Sequence, residues 1–202
     1  MKLSRLPHSC DGWETVASKS HFANAHLAVA TENVRTPSRL SAQSWTVVHR
    51  KAAVVIAAFT PDGKMVLIRQ ERIPIRAAIW EVPAGQIDDK AEIEPAAIQA
   101  VALRELREET GYELGERGEL VSLGHCFSSP GFTDEHGYFF LARGVISARD
   151  GHAHEDTEAI LNCQEFTLPE VARMIAENEI RDANTLSICA KLVAGGFVNL
   201  EG

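Results

Sequence analysis

The stretch Ala102–Leu114, "ALRELREETGYEL", places five ionisable side chains in the six positions from Arg104 to Glu109. Wound as a helix, it sets Glu105, Glu108 and Glu109 at i, i+3 and i+4, within an arc of about 100° on one face. Like charges at that spacing repel, by about 0.2–0.5 kcal/mol per exposed pair. A face that gathers three carboxylates therefore calls for a cation. An all-oxygen donor set suits Mg2+, with Mn2+ as a second candidate. Arg104 can reach Glu108 at i+4 and hold its rotamer. The plain alternative is a solvated, salt-bridged surface helix.

The helix that must carry this face is expected to start at Glu94-Pro95, an acid followed by a proline suited to a first turn, and to end at Gly111, a C-terminal cap. Ile98, Ala102, Leu103 and Leu106 make its apolar stripe, with the glutamates at the edge of that stripe, where a cleft would lie. Upstream, "WTVVHRKAAVVIAAF" is rich in β-branched residues, "TPDGK" is a hairpin turn and "MVLIRQE" is the returning strand. "AAIWEVPAG" is a short extended run ending in a loop. Strands follow at "LVSLGHCF", "GYFFLARGV" and "AILNCQEF", then helices at "LPEVARMIAENE" and "DANTLSICAKLVAGG". In the first 44 residues, "HFANAHLAVAT" reads as one strand and "RTPSRLSAQS" as a polar connection. The uneven segregation of strands and helices predicts an α+β sandwich rather than a doubly wound parallel sheet. Neither GxGxxG nor GxxxxGK[ST] occurs, so the usual phosphate cradles at helix starts are absent.

The chain has 202 residues, 45% of them apolar, enough for one domain with an added segment. Its net charge of −8 and pI of about 5.5 argue against general attraction to nucleic acid or to an anionic membrane. A polyanionic substrate would need local positive charge or bound metal. Cys10, Cys126, Cys163 and Cys189 are scattered and read as reduced thiols in a cytoplasmic protein. No signal peptide or membrane span is expected from the sequence.

"RELREETGY" resembles the second half of the signature helix of the Nudix hydrolases, with Arg104, Glu105, Leu106, Glu108, Glu109, Gly111 and Tyr112 on its pattern positions. Tyr112 stands where an aliphatic residue is usual. Gly85 in "PAGQID" resembles the glycine that opens the motif, with a connection to Arg104 about five residues longer than the family's. The family's further glutamate falls on Ala96; Glu92 and Glu94 lie nearby, and that role stays unassigned. The flanks "RQERIPIRAAIWEVPAGQID" and "SSPGFTDE" resemble the ADP-ribose pyrophosphatase branch. The likeness spans roughly residues 45 to 190 and is strongest from Arg69 to Glu135.

That resemblance implies a Nudix-type α/β/α sandwich with a mixed central sheet, over residues 45–202. Residues 1–44 would be a short N-terminal β segment used in homodimerisation. It implies that Glu105, Glu108, Glu109 and the carbonyl of Ala84 hold Mg2+ or Mn2+, with Glu158 a further ligand. Arg104 would belong to the catalytic set. Arg72, Trp80, Glu81, Pro130 and Glu135 would contact substrate, a nucleoside diphosphate sugar. In "HAHEDTEAI" the catalytic base would be Glu158 or Asp156, with Glu155 a rival. His152 and His154 read as solvated rather than as ligands. Three residues keep plain alternatives: Trp80 as core, Arg72 paired with a surface carboxylate, and Pro130-Gly131 as a turn.

The implied activity is Mg-dependent cleavage of ADP-ribose, or a related nucleoside diphosphate sugar, to a nucleoside monophosphate and a sugar phosphate. Two alternatives stand beside it. One is the same chemistry on oxidised nucleoside triphosphates or dinucleoside polyphosphates; the other is a binding domain without turnover.

Overall fold

The structure, a computed structural model, describes residues 6–87, 94–148 and 159–199. Two sheets organise it. The first is antiparallel, in the order β1 (Glu14–Ala23), β2 (Leu27–Thr36), β3 (Arg39–Arg50). The expected single strand over "HFANAHLAVAT" is instead a hairpin. The Asn24 side chain accepts from the backbone N–H groups of His26 and Leu27 at 2.8 and 2.9 Å, and so turns the chain. The polar "RTPSRLSAQS" is likewise no simple connection, because it contains the end of β2 and the start of β3. The run from Trp45 breaks at Lys51-Ala52, so β3 crosses the expected division at residue 44 and only the second half becomes β4 (Ala53–Phe59).

The second sheet has the order β10-β5-β4-β9-β8, with β6 on β5 and β7 on β4. Its further strands are β5 (Met65–Arg72), β6 (Ala77–Glu81), β7 (Ala84–Gln86), β8 (Tyr112–Phe127), β9 (His136–Ser147) and β10 (Ile160–Phe166). β4 and β9 pair in parallel while the other pairings are antiparallel, so the sheet is mixed. Strand β4 explains the sandwich. Val55, Ala57 and Phe59 face one side with Val171, Met174, Ile188 and Leu192; Val54, Ile56 and Ala58 face the other with Ile98, Ala102 and Leu106. Alternate residues point to opposite faces, and both faces are covered, which is why "AVVIAAF" is apolar throughout.

Helix α1 (Pro95–Thr110) covers one face; α2 (Leu168–Ala176) and α3 (Ala183–Ala194) cover the other. All three coincide with the helices expected from sequence. Pro95 opens α1, and Gly111 closes it at φ 71°, donating to the carbonyl of Arg107 at 2.9 Å. Leu103 is not in the buried stripe. It is exposed, because Glu105, Glu109 and Thr110 occupy the buried positions beside Ile98, Ala102 and Leu106.

Candidate active site

The glutamate face of α1 is held from two sides. On the helix, Arg104 donates to Glu105 at 2.7 Å and to Glu108 at 2.5 Å. From the sheet, the turn between β6 and β7 presses on the same face. Ala84 N–H donates to Glu109 Oε2 at 2.8 Å, and a Cβ placed on Gly85 would fall 1.9 Å from the Glu105 carboxyl carbon. Glu105 and Glu109 are buried; Glu108 is partly exposed. Burial of carboxylates is costly unless they are hydrogen-bonded or ion-paired, and here Ala84 and Arg104 meet part of that cost.

Arg72, near the end of β5, meets Glu81, at the end of β6, in a side-on fork. Its Nε donates at 2.9 Å and its terminal nitrogen at 2.5 Å to the two carboxylate oxygens. Arg72 therefore pairs with a carboxylate that is only 2% exposed, not with one on the surface. Burial pushes the Glu81 carboxyl above its ordinary range, against the lowering effect of Arg72. The Glu81 hydrogen bond, with lesser contributions from the charges of Asp182 and Glu109, raises the Arg72 guanidinium further. A side-on fork occupies the Nε edge of a guanidinium and leaves donors on its other terminal nitrogen.

Trp80 lies edge-on to Phe166, ring centroids 5.0 Å apart, and packs on the core shared with α2 and α3. Trp80 is only partly buried, so its packing on the core leaves part of the indole outside it. Pro130 and Glu135 belong to a loop docked on β3. Trp45 Nε1 donates to Gly131 O at 2.9 Å, Val48 N to Phe132 O at 2.8 Å, and Arg50 forms an ion pair with Glu135 at 3.0 Å. Asp134 accepts from Arg50 N at 2.9 Å and lies 2.7 Å from His49 Nδ1. A groove of about 770 Å³ opens beside this joint, lined in part by Trp13, Trp45, Phe127, Pro130 and Phe132. Sequence reading missed the contributions of Trp45, His49 and Asp134, since nothing in their spacing signals contacts across so much intervening chain.

The donor chemistry fits a hard divalent cation: three carboxylates on one helix face, with a backbone turn closed against two of them. Among the described residues, no three acidic, histidine or cysteine side chains are already gathered closely enough to enclose an ion. Glu105 and Glu108 are instead turned toward Arg104. Asp156, Glu158 and Glu155, as well as His152, His154 and Glu92, lie outside the described residues. Glu94 is the N-terminal cap residue of α1, and Ala96 lies in its first turn.

A family profile described as the NUDIX domain matches residues 48–187. The chain therefore belongs to the Nudix family. It is a Nudix hydrolase resembling ADP-ribose pyrophosphatases, as the sequence implied. The ADP-ribose pyrophosphatase of Bacillus subtilis is 30% identical, over 85% of this chain and 88% of its own. That of Mycobacterium tuberculosis is 31% identical, over 89% and 82%. The methanol dehydrogenase activator of Bacillus methanolicus is 32% identical, over 86% and 88%. A crystal structure of an ADP compounds hydrolase matches with a TM-score of 0.72 at 16% identity, covering 95% of this chain and all of that one. That match bears out the expected sandwich. Among the described residues no helix is long and apolar enough to cross a membrane.

Proposed function

We propose that this Nudix hydrolase is an Mg2+-dependent pyrophosphohydrolase, able to use Mn2+, that cleaves ADP-ribose or a related nucleoside diphosphate sugar into a nucleoside monophosphate and a sugar phosphate. The observation that carries this reading is the closure of the Ala84-Gly85 backbone on Glu105 and Glu109. Glu105, Glu108, Glu109 and the Ala84 carbonyl would hold the metal, with Glu158 a further ligand. When bound there, the ion offsets charge on the diphosphate and lowers the pKa of an attacking water.

The chain's own residues supply the rest. Arg72 presents its unpaired guanidinium edge to a diphosphate oxygen while Glu81 holds the other edge. Arg104 holds Glu105 and Glu108 in place, on the carboxylates that would hold the cation. Glu158 or Asp156 takes the proton of the attacking water. Pro130, Glu135 and Trp80 border the substrate. The relatives named ADP-ribose pyrophosphatases support the substrate class.

The segment before residue 45 would pair two copies into a homodimer. Every residue of β1 is exposed; Val16 and Phe22 add apolar surface to this edge strand, and Trp13 lies just before it. Light scattering that returns a monomer at working concentration would discard the dimer. The free cysteines suit a reducing compartment, and the cytoplasm is the proposed location.

The test of activity is product analysis with ADP-ribose and Mg2+, alongside Glu109→Gln. AMP and ribose 5-phosphate from the wild type alone would support the reading. Absence of product would overturn the substrate class and turn attention to nucleoside triphosphates and dinucleoside polyphosphates.

A further inference from the structure

Thr185 is wholly buried in the first turn of α3, far along the chain from the glutamate helix. Its hydroxyl donates to Asp182 Oδ2 at 2.8 Å and accepts from Val82 N–H at 3.0 Å. The Thr185 backbone N–H also donates to Asp182 Oδ2, at 2.8 Å. A hydroxyl has one proton and two lone pairs. With the proton committed to Asp182, a lone pair is left aimed at Val82, so Asp182 sets the direction of the bond.

Val82 stands inside the turn that builds the site. Glu81, just before it, grips Arg72; Pro83, just after it, has no N–H; Ala84 then donates to Glu109. The main chain of this turn is anchored at three points. Ile56 N–H donates to Pro83 O at 2.9 Å, Ala84 N–H donates to Glu109, and Val82 N–H donates to Thr185. Two anchors come from the central sheet and the glutamate helix. The third comes from the opposite face of the sandwich. The charge of Asp182 also adds in a small way to the upward shifts of both Arg72 and Glu81.

We infer that Thr185, oriented by Asp182, is a positioning residue of the active site: through Val82 it sets the height of the Ala84 carbonyl over the glutamate face and the seat of Glu81 under Arg72. This rests on the metal-dependent reading above, and it assigns a site role to α3, the last helix among the described residues. Losing a buried hydrogen bond alone would lower stability and leave the metal site as it was. A positioning role must also move metal affinity.

The test compares Thr185→Val, which keeps the shape and removes the hydroxyl, with Thr185→Ser, which restores it. Mn2+ binding is read from the electron paramagnetic resonance signal of free Mn2+, beside melting temperature and the Mg2+ dependence of ADP-ribose turnover. Outer-shell partners of metal sites are worth about 10–100-fold in affinity. Thr185→Val is expected to weaken Mn2+ binding by about 10-fold, at the low end of that range, with Thr185→Ser close to wild type. Should Thr185→Val fail to fold, Asp182→Ala, which leaves the hydroxyl unguided, is expected to weaken Mn2+ binding by a smaller factor. Unchanged Mn2+ binding in a folded variant, whatever its melting temperature, overturns the inference. A wild type that binds no Mn2+ overturns it together with the metal reading. If the wild type binds Mn2+ but leaves ADP-ribose intact, only the substrate reading fails, and the binding comparison still decides.

Discussion

Gly85 and Glu105 occupy one packing space. A Cβ on Gly85 would stand 1.9 Å from the Glu105 carboxyl carbon and 2.2 and 2.4 Å from its oxygens. Gly85 does not have a left-handed φ, so glycine is required there for room and not for backbone conformation. The backbone of the turn lies directly against the carboxylate because no side chain intervenes.

Gly85→Ala should therefore displace Glu105 or lift the turn. Overpacking of this kind costs about 1–3 kcal/mol of stability. Turnover should fall as well, by about 10²-fold, the scale on which small misplacements in a site are felt. Steady-state kinetics and thermal unfolding on one preparation would check both, and a fully active Gly85→Ala would contradict the close approach.

Glu109→Gln keeps the size of the side chain and an oxygen able to accept from Ala84, but removes the charge. The fold should survive, and product formation should fall by about 10²–10³-fold, the usual scale for a lost electrostatic contact in a site. Circular dichroism and AMP quantification would separate lost charge from lost structure.

Arg72→Ala should act twice. On the proposed reading of Arg72 as a diphosphate ligand, the Michaelis constant should rise. Stability also falls, by about 1–3 kcal/mol, because the buried Glu81 is left without its partner. Adding Glu81→Ala removes the stranded carboxylate, so the double variant should regain part of that stability. Urea unfolding of the four proteins of the cycle tests this. Strict additivity would mean that the pair has no coupling.

His136, fully buried at the start of β9 beside Phe127 and Tyr138, is expected to make stability fall in mild acid. Burial lowers its pKa below the ordinary 6.5. The unfolded chain then binds more protons than the folded one below that value, so stability is full above about 6.5 and declines as pH falls toward the folded pKa. Melting temperature measured between pH 7.5 and 5.5 should drop, and His136→Gln should flatten the drop. An unaltered slope would exclude His136 as its source.

Much of the second sheet and all three helices were legible because periodicity and local chemistry specify them. The TPDGK turn, the returning strand MVLIRQE, and the Pro95 start and Gly111 end of α1 are examples. The signature glutamates were legible for the same reason, since i, i+3 and i+4 are local relations. The β1–β2 hairpin was not, because its turn depends on one Asn24 side chain in a stretch whose alternation continues past it. Leu103 was misplaced because an apolar side chain was expected to outrank a carboxylate for a buried position, whereas Glu109 is only 1% exposed. The Arg72–Glu81 fork and the Thr185–Val82 bond join separate elements, and a single chain's spacing carries no sign of them.

The parallel pairing of β4 with β9 has a consequence for how the chain comes off the ribosome. Ala53 must wait for Gly137 before the centre of the main sheet can close, whereas β1, β2 and β3 pair with near neighbours in sequence. Long-range pairings form slowly and local ones early, and synthesis proceeds from the N-terminus. The first sheet can thus assemble while the catalytic half is still being made. The wholly apolar β4 emerges directly behind it and stays uncovered until β9 and the helices arrive. A nascent chain stalled before β9 would present the β4 face that α2 and α3 later cover to holding chaperones, and one extended through α3 would not.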